Sequence, residues 1–126
     1  MESRDYLLGQ FLQFADLLHK LYCKHERKGQ TPPQLIGNAA ISMALQSPKR
    51  AITVLSGRIP IYVAWAHRYQ KEDVGLVKWC CKELGRLAAL LHEENLDLRV
   101  STNGRAELLL GYLASTKPRE TQETSL

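Results

Sequence analysis

Leu7, Phe11, Phe14, Leu18 and Leu21 repeat at steps of four and three, which places them along one face of an α-helix. Ser3 can cap that helix and Asp5 lies in its opening turn, so the pattern predicts a helix from Ser3 to about Arg27, ended by Gly29. Thr31-Pro32-Pro33 reads as a connector, because proline suits the first turn of a following helix. From Pro33 to Gln46 the pattern shifts to small residues, with Gly37, Ala39, Ala40, Ser42 and Ala44 set among Leu35, Ile36, Ile41, Met43 and Leu45. Small side chains let helix axes approach closely, so this second helix is expected to be central and buried.

Ser47-Pro48 has the form of a cap followed by a first helical residue, and Ile52, Val54 and Leu55 continue the helix that it opens. Gly57 and Pro60 predict a break or sharp kink, since proline lacks a backbone donor and crowds the preceding turn. The helix then resumes through Ile61, Val63, Trp65 and Tyr69. From Glu72 to Glu94 the spacing is most regular: Val74, Val77, Cys81, Leu84, Ala88 and Leu91 keep three-four steps and form the expected buried stripe. Asn95 to Asn103 reads as a loop with Asn103-Gly104 as a stop, before a short last helix holding Ala106, Leu109, Leu110 and Leu113. No strand alternation appears. The expected fold is an all-α compact bundle of five or six helices over residues 1–115, with a polar, disordered tail over 116–126.

The 126 residues and 44% hydrophobic content suit a single domain with one core. No apolar run is long enough for a bilayer, and Glu2, Arg4 and Asp5 stand where a signal peptide would need an apolar stretch. Cys23, Cys80 and Cys81 make an odd count without a framework pattern, which fits free thiols in a reducing, cytoplasmic setting. The formal charge of +4 is modest, but its distribution is uneven. Between Arg27 and Lys71 lie seven basic residues and no Asp or Glu, while all thirteen acids fall outside that stretch. Lys71, Lys78, Lys82 and Arg86 continue the basic set as a stripe on the next helix, about a third of a turn from its apolar one.

Such a charge distribution attracts phosphates. The candidate phosphate partners are Lys49, Arg50, Arg58, Arg68, Lys71, Lys78 and Lys82, joined by Lys24 and Lys28 at the end of the first helix. Tyr62, Trp65 and Tyr69 alternate with Arg58, His67, Arg68 and Lys71, an arrangement that could stack bases of a single strand; at their three-four spacing, however, Trp65 and Tyr69 read better as core. His19 and Cys23 stand one turn apart with His25 nearby, yet no second pair completes a zinc pattern. No nucleophile, base and orienting group fall in a catalytic signature, and no glycine-rich phosphate loop occurs. The residues therefore point away from catalysis and from a bound cofactor.

Three segments carry a family likeness. They are Tyr6-Leu7-Leu8-Gly9-Gln10-Phe11, then Ser47-Pro48-Lys49-Arg50-Ala51 running on to Ala66-His67-Arg68-Tyr69, and finally Gly104-Arg105-Ala106-Glu107-Leu108-Leu109-Leu110-Gly111-Tyr112. In these the chain resembles the C-terminal helical part of the large subunit of type I-C CRISPR effector complexes, the region also made separately as the Cascade small subunit. Gln10 stands where that family often has arginine, and Leu113-Ala114-Ser115 replaces a more polar aromatic ending. The resemblance implies a non-enzymatic subunit, present in more than one copy, in a crRNA-containing complex. Its implied partners are the displaced non-target DNA strand, the backbone and large subunits, and further copies of itself. The other reading that the residues leave open is a purely structural helical adaptor without nucleic-acid contact.

Overall fold

The computed structural model describes residues 3–24, 38–69 and 74–114. These form five α-helices and no strand: α1 (Arg4–Lys24), α2 (Asn38–Gln46), α3 (Pro48–Tyr69), α4 (Val74–His92) and α5 (Thr102–Ala114). The bundle is organised around α1, which packs against each of the other four helices. Ser3 caps it, its hydroxyl accepting from the Tyr6 backbone N–H at 3.2 Å. Leu7, Leu8, Phe11, Leu12, Phe14, Ala15 and Leu18 are all buried, so α1 is dry around most of its circumference, as a helix enclosed by neighbours must be.

The tightest contact is between α1 and α5. A Cβ on Gly9 would overlap the carbonyl oxygen of Leu108 and stand 2.8 Å from the backbone nitrogen of Tyr112. A Cβ on Gly111 would overlap the carbonyl oxygen of Tyr6, and one on Gly104 would strike the Asp5 carboxylate. The two helices thus meet backbone to backbone, and because Gly104 sits at Asp5 and Leu108 at Gly9 they run in the same sense. The loop between α4 and α5 returns the chain to the start of α1. There Arg4 donates from its guanidinium to the carbonyls of Asn95, Leu98 and Arg99 while pairing with Asp5 at 2.6 Å. The same loop is held to the α2–α3 junction by Lys49 N–H to Leu96 O (3.2 Å) and Val100 N–H to Leu45 O (3.3 Å).

Several sequence expectations are corrected. Helix α3 runs unbroken through Gly57 and Pro60. The bond that Pro60 cannot make is the one to the Ser56 carbonyl, and both residues lie on the exposed side of α3, where water can take the donor's place. Helix α2 is not central: Ala40 and Ala44 are buried, but Ser42 and Gln46 are exposed and Ile41, Met43 and Leu45 are half-buried. On α4 the buried set is Val77, Cys80, Leu84, Leu87 and Leu91, so the dry face is turned toward Cys80 and leaves Cys81 half-buried. Both stripes share Val77, Leu84 and Leu91, and three-four spacing alone did not separate them.

Asn103-Gly104 does not stop a loop; it lies in the first turn of α5, which Ser101 caps by accepting from the Gly104 N–H at 3.0 Å. The glycine is there because Asp5 occupies the space of a side chain. The buried side of α5 is Gly104, Leu108 and Gly111, whereas Leu109, Leu110 and Leu113 face outward. The predicted end of the first helix at Arg27, the start of the second at Pro33, and the tail over 116–126 lie outside the described residues.

Two sets of glycine substitutions should therefore part in sign. Gly9→Ala or Gly111→Ala forces two backbones apart and is expected to lower stability by about 3 kcal/mol. Gly85→Ala, where a Cβ meets nothing within 4 Å, should raise it by about 1 kcal/mol through helix propensity. Urea titrations followed by circular dichroism measure both.

Candidate nucleic-acid interface

Helix α3 begins where the chain turns sharply out of α2. Ser47 caps it by accepting from the Arg50 N–H at 3.3 Å, and Pro48 is fully buried beneath that turn. The turn leaves Lys49 and Arg50 exposed at the helix's positive end. Lys49 stands 3.9 Å from Asp97, but with side chains 68% and 82% exposed this ion pair contributes little and leaves the lysine available to a phosphate. At the far end of α3 the exposed cation is Arg68, beside exposed His67. Eighteen residues separate Arg50 from Arg68, so about 27 Å of helix lies between them. That interval presents Thr53, Ser56, Gly57, Pro60, Ile61 and Ala64, all exposed and none charged, with Ile61 an exposed aliphatic side chain between the two arginines.

Arg58 does not share this face. It is half-buried and close enough to His19 of α1 to act on its titration, which places it on the side of α3 turned toward the core. On α4, Lys78 and Lys82 are exposed one turn apart, opposite the buried stripe, while Arg86 is tied to Glu83 at 3.0 Å. Lys71 and Lys28 lie outside the described residues, as does the side chain of Lys24 at the end of α1. The candidate cations therefore fall into two exposed groups, the ends of α3 and the outer side of α4.

The aromatic half of the expectation changes more. Tyr62 is 2% exposed, and its hydroxyl lies 3.1 Å from Nδ1 of His19 in a buried hydrogen bond. It cannot stack a base. The side chains of Trp65 and Tyr69 lie outside the described residues. Trp79 packs its edge on Phe14 with ring centroids 4.9 Å apart. His19, a candidate metal ligand by its spacing to Cys23, is instead a buried partner of Tyr62; Cys23 and His25 lie outside the description, and among the described residues no three ligating side chains come together.

Sequence reasoning missed the polar cluster inside the bundle. Asp16 is buried in the middle of α1, accepting from the Tyr112 hydroxyl at 2.9 Å and pairing with Lys20 at 3.2 Å. Burial and the Asp16 carboxylate push the Tyr112 hydroxyl up to about 12, so it remains a donor. A lone aspartate between Ala15 and Leu17 in an apolar helix was the available signal, since a carboxylate there needs partners. Arg4 was likewise unflagged; with Asp5, Glu94, Leu98 and Ser101 it lines an open cleft of about 240 Å³. That cleft mixes both charge signs and serves the loop clamp rather than a phosphate.

No family model, curated protein or solved structure matches the chain.

Burial holds the His19 pKa below its ordinary 6.5, a shift that Asp16 opposes and Arg58 reinforces. A depressed histidine means that the neutral ring belongs to the folded chain, so stability is full above pH 6.5 and falls as the unfolded state takes up the proton below it. The urea midpoint should drop between pH 7 and pH 5, and His19→Gln should flatten that drop. The cysteines offer a second check. Burial, with smaller contributions from Cys81 and Glu83, pushes the Cys80 thiol up to about 12, so a thiol reagent at neutral pH should label half-buried Cys81 before Cys80.

Proposed function

We propose that the chain is a non-catalytic small subunit of a crRNA-guided CRISPR surveillance complex, where it contacts the displaced DNA strand and the backbone subunits and so stabilises the R-loop. The observation that carries the reading is the outer face of α3, which exposes Lys49, Arg50 and Arg68 on a helix without a single acidic residue. Phosphate contacts of this kind position a strand without reading its sequence, which suits a complex whose specificity comes from base pairing. The resemblance supports it in a further way. Two of its three segments, Tyr6–Phe11 and Gly104–Tyr112, pack on one another through Gly9 and Gly111, and the third supplies the Ser47-Pro48 turn that presents the basic residues.

A purely structural adaptor is the second reading, favoured by exposed Leu109, Leu110 and Leu113 on the outside of α5. No described helix is long and apolar enough to cross a membrane, so that apolar surface is not part of a span.

The test is the salt dependence of target binding by the assembled complex. Replacing Lys49, Arg50 and Arg68 with alanine should reduce the slope of log K against log salt by about 2, at about 0.7 per single-strand phosphate contact. An unchanged slope in a complex that assembles normally would refute direct contact. Crosslinking to protein subunits but to neither DNA strand would leave the adaptor reading standing.

A further inference from the structure

The head of α3 is more fully engaged than its exposed cations suggest. The Lys49 N–H donates to the Leu96 carbonyl at 3.2 Å, the Arg50 N–H to the Ser47 hydroxyl at 3.3 Å and the Ala51 N–H to the Ser47 carbonyl at 3.1 Å, while Pro48 has no donor. These first-turn donors are all taken, so a phosphate at this end of the helix is held by the Lys49 and Arg50 side chains alone. Arg50 makes no ion pair among the described residues, whereas Lys49 Nζ already lies 3.9 Å from Asp97 Oδ1.

Asp97 is brought to that place by its backbone. Leu96, just before it, accepts from the Lys49 N–H, and Val100, three residues on, donates to the Leu45 carbonyl at the end of α2. Arg4 holds the same loop through the carbonyls of Asn95, Leu98 and Arg99, and the Asp97 N–H closes a turn on Asn95 Oδ1 at 3.1 Å. The loop is tied on both sides of Asp97, so its carboxylate leaves Lys49 only by rotation of its own side chain. That carboxylate makes no other hydrogen bond or ion pair among the described residues. A pair so exposed adds little to folding, yet it acts on binding. A phosphate needs the same Nζ and meets a like charge beside it.

We propose that Asp97 is a built-in competitor for phosphate at Lys49, which limits the grip of the head of α3 on a polyanion and keeps that contact reversible. The proposal rests on the reading of α3 as a phosphate-binding face. Asp97 acts through Lys49, in that it occupies the cation in the free chain and is displaced when a strand arrives. Arg50, one residue on and without such a partner, makes the first hold.

Anisotropy of a fluorescein-labelled oligothymidylate, titrated with the full chain at low salt, tests this. Asp97→Asn leaves the backbone ties of the loop in place and should tighten binding about threefold. Glu107→Gln on α5 changes the net charge equally and should leave binding nearly unchanged. Lys49→Ala should weaken binding about threefold, and in that background the gain from Asp97→Asn should fall well below its original size. A gain no larger than that of Glu107→Gln, or one that persists in full without Lys49, overturns the proposal; if Lys49→Ala still weakens binding, the phosphate reading survives it. A chain that does not bind the oligonucleotide, or whose binding neither Lys49→Ala nor Arg50→Ala weakens, refutes that reading and the proposal with it.

Discussion

Backbone contact between α1 and α5 is the constraint that the rest of the structure obeys. Where Gly9 meets Leu108 and Gly111 meets Tyr6, no side chain separates the helices, so their relative position has almost no freedom. Seating α5 there fixes where it must begin, which is beside Asp5 at the start of α1. The chain leaving α4 has then to come back to that point, and Arg4 holds it by donating to three carbonyls of the returning loop. That loop in turn accepts from Lys49 N–H and donates from Val100 N–H to Leu45, which pins the turn between α2 and α3. A glycine contact on one side of the bundle thereby sets the direction in which Lys49 and Arg50 leave it on the other.

The buried polar cluster works to the same end by a different cost. An aspartate in the dry middle of α1 is unfavourable unless it is paired, so α5 must place the Tyr112 hydroxyl and α1 must keep Lys20 within reach. His19, one turn on, requires the Tyr62 hydroxyl of α3 in the same way. Apolar packing alone tolerates small shifts of one helix along another, whereas these hydrogen bonds do not. They register α3 and α5 against α1, and for α3 this means that the side bearing Tyr62 and Arg58 is turned inward and the side bearing Arg50 and Arg68 outward. Arg58 acts mainly on the interior, where its charge helps keep His19 neutral.

The helix content and most element positions were legible in the sequence, because three-four spacing is a direct consequence of helical geometry. What spacing left open was rotation and neighbourhood. The two stripes of α4, through Cys80 or through Cys81, are equally regular, and only the packing of α4 on α1 chooses between them. Pro60 and Gly104 were both taken as punctuation, yet one sits harmlessly on an exposed helix face and the other is a helical residue required by Asp5. For α4 and Gly104 the local rule was overruled by a partner distant in sequence, and for Pro60 by exposure to water, neither of which a linear pattern contains. Of the candidate site, the exposure of Lys78 and Lys82 follows from the basic stripe read on α4, whereas Lys49, Arg50 and Arg68 were singled out by charge and not by position on a face. The burial of Tyr62 was not legible, since its partner His19 lies forty-three positions away.

Because α3, α4 and α5 all pack inward on α1, their outer faces point away from one another. The surface is accordingly divided by chemistry as well as by direction. The outer sides of α3 and α4 expose cations together with Ile61 and Leu90, the loop after α4 exposes Glu93, Glu94 and Asp97, and α5 exposes leucines flanked by Arg105 and Glu107. The acidic loop lies against the start of α3, with Asp97 3.9 Å from Lys49, so it limits how far the positive field of α3 extends at that end. The apolar face, in contrast, stabilises only a partner that can cover it from water, which phosphate and sugar do poorly. On the proposed reading these requirements do not compete. A strand held along α3 leaves α5 open to protein, and a protein docked on α5 leaves the cations in place, which is the arrangement needed by a component that must bridge nucleic acid and its own assembly.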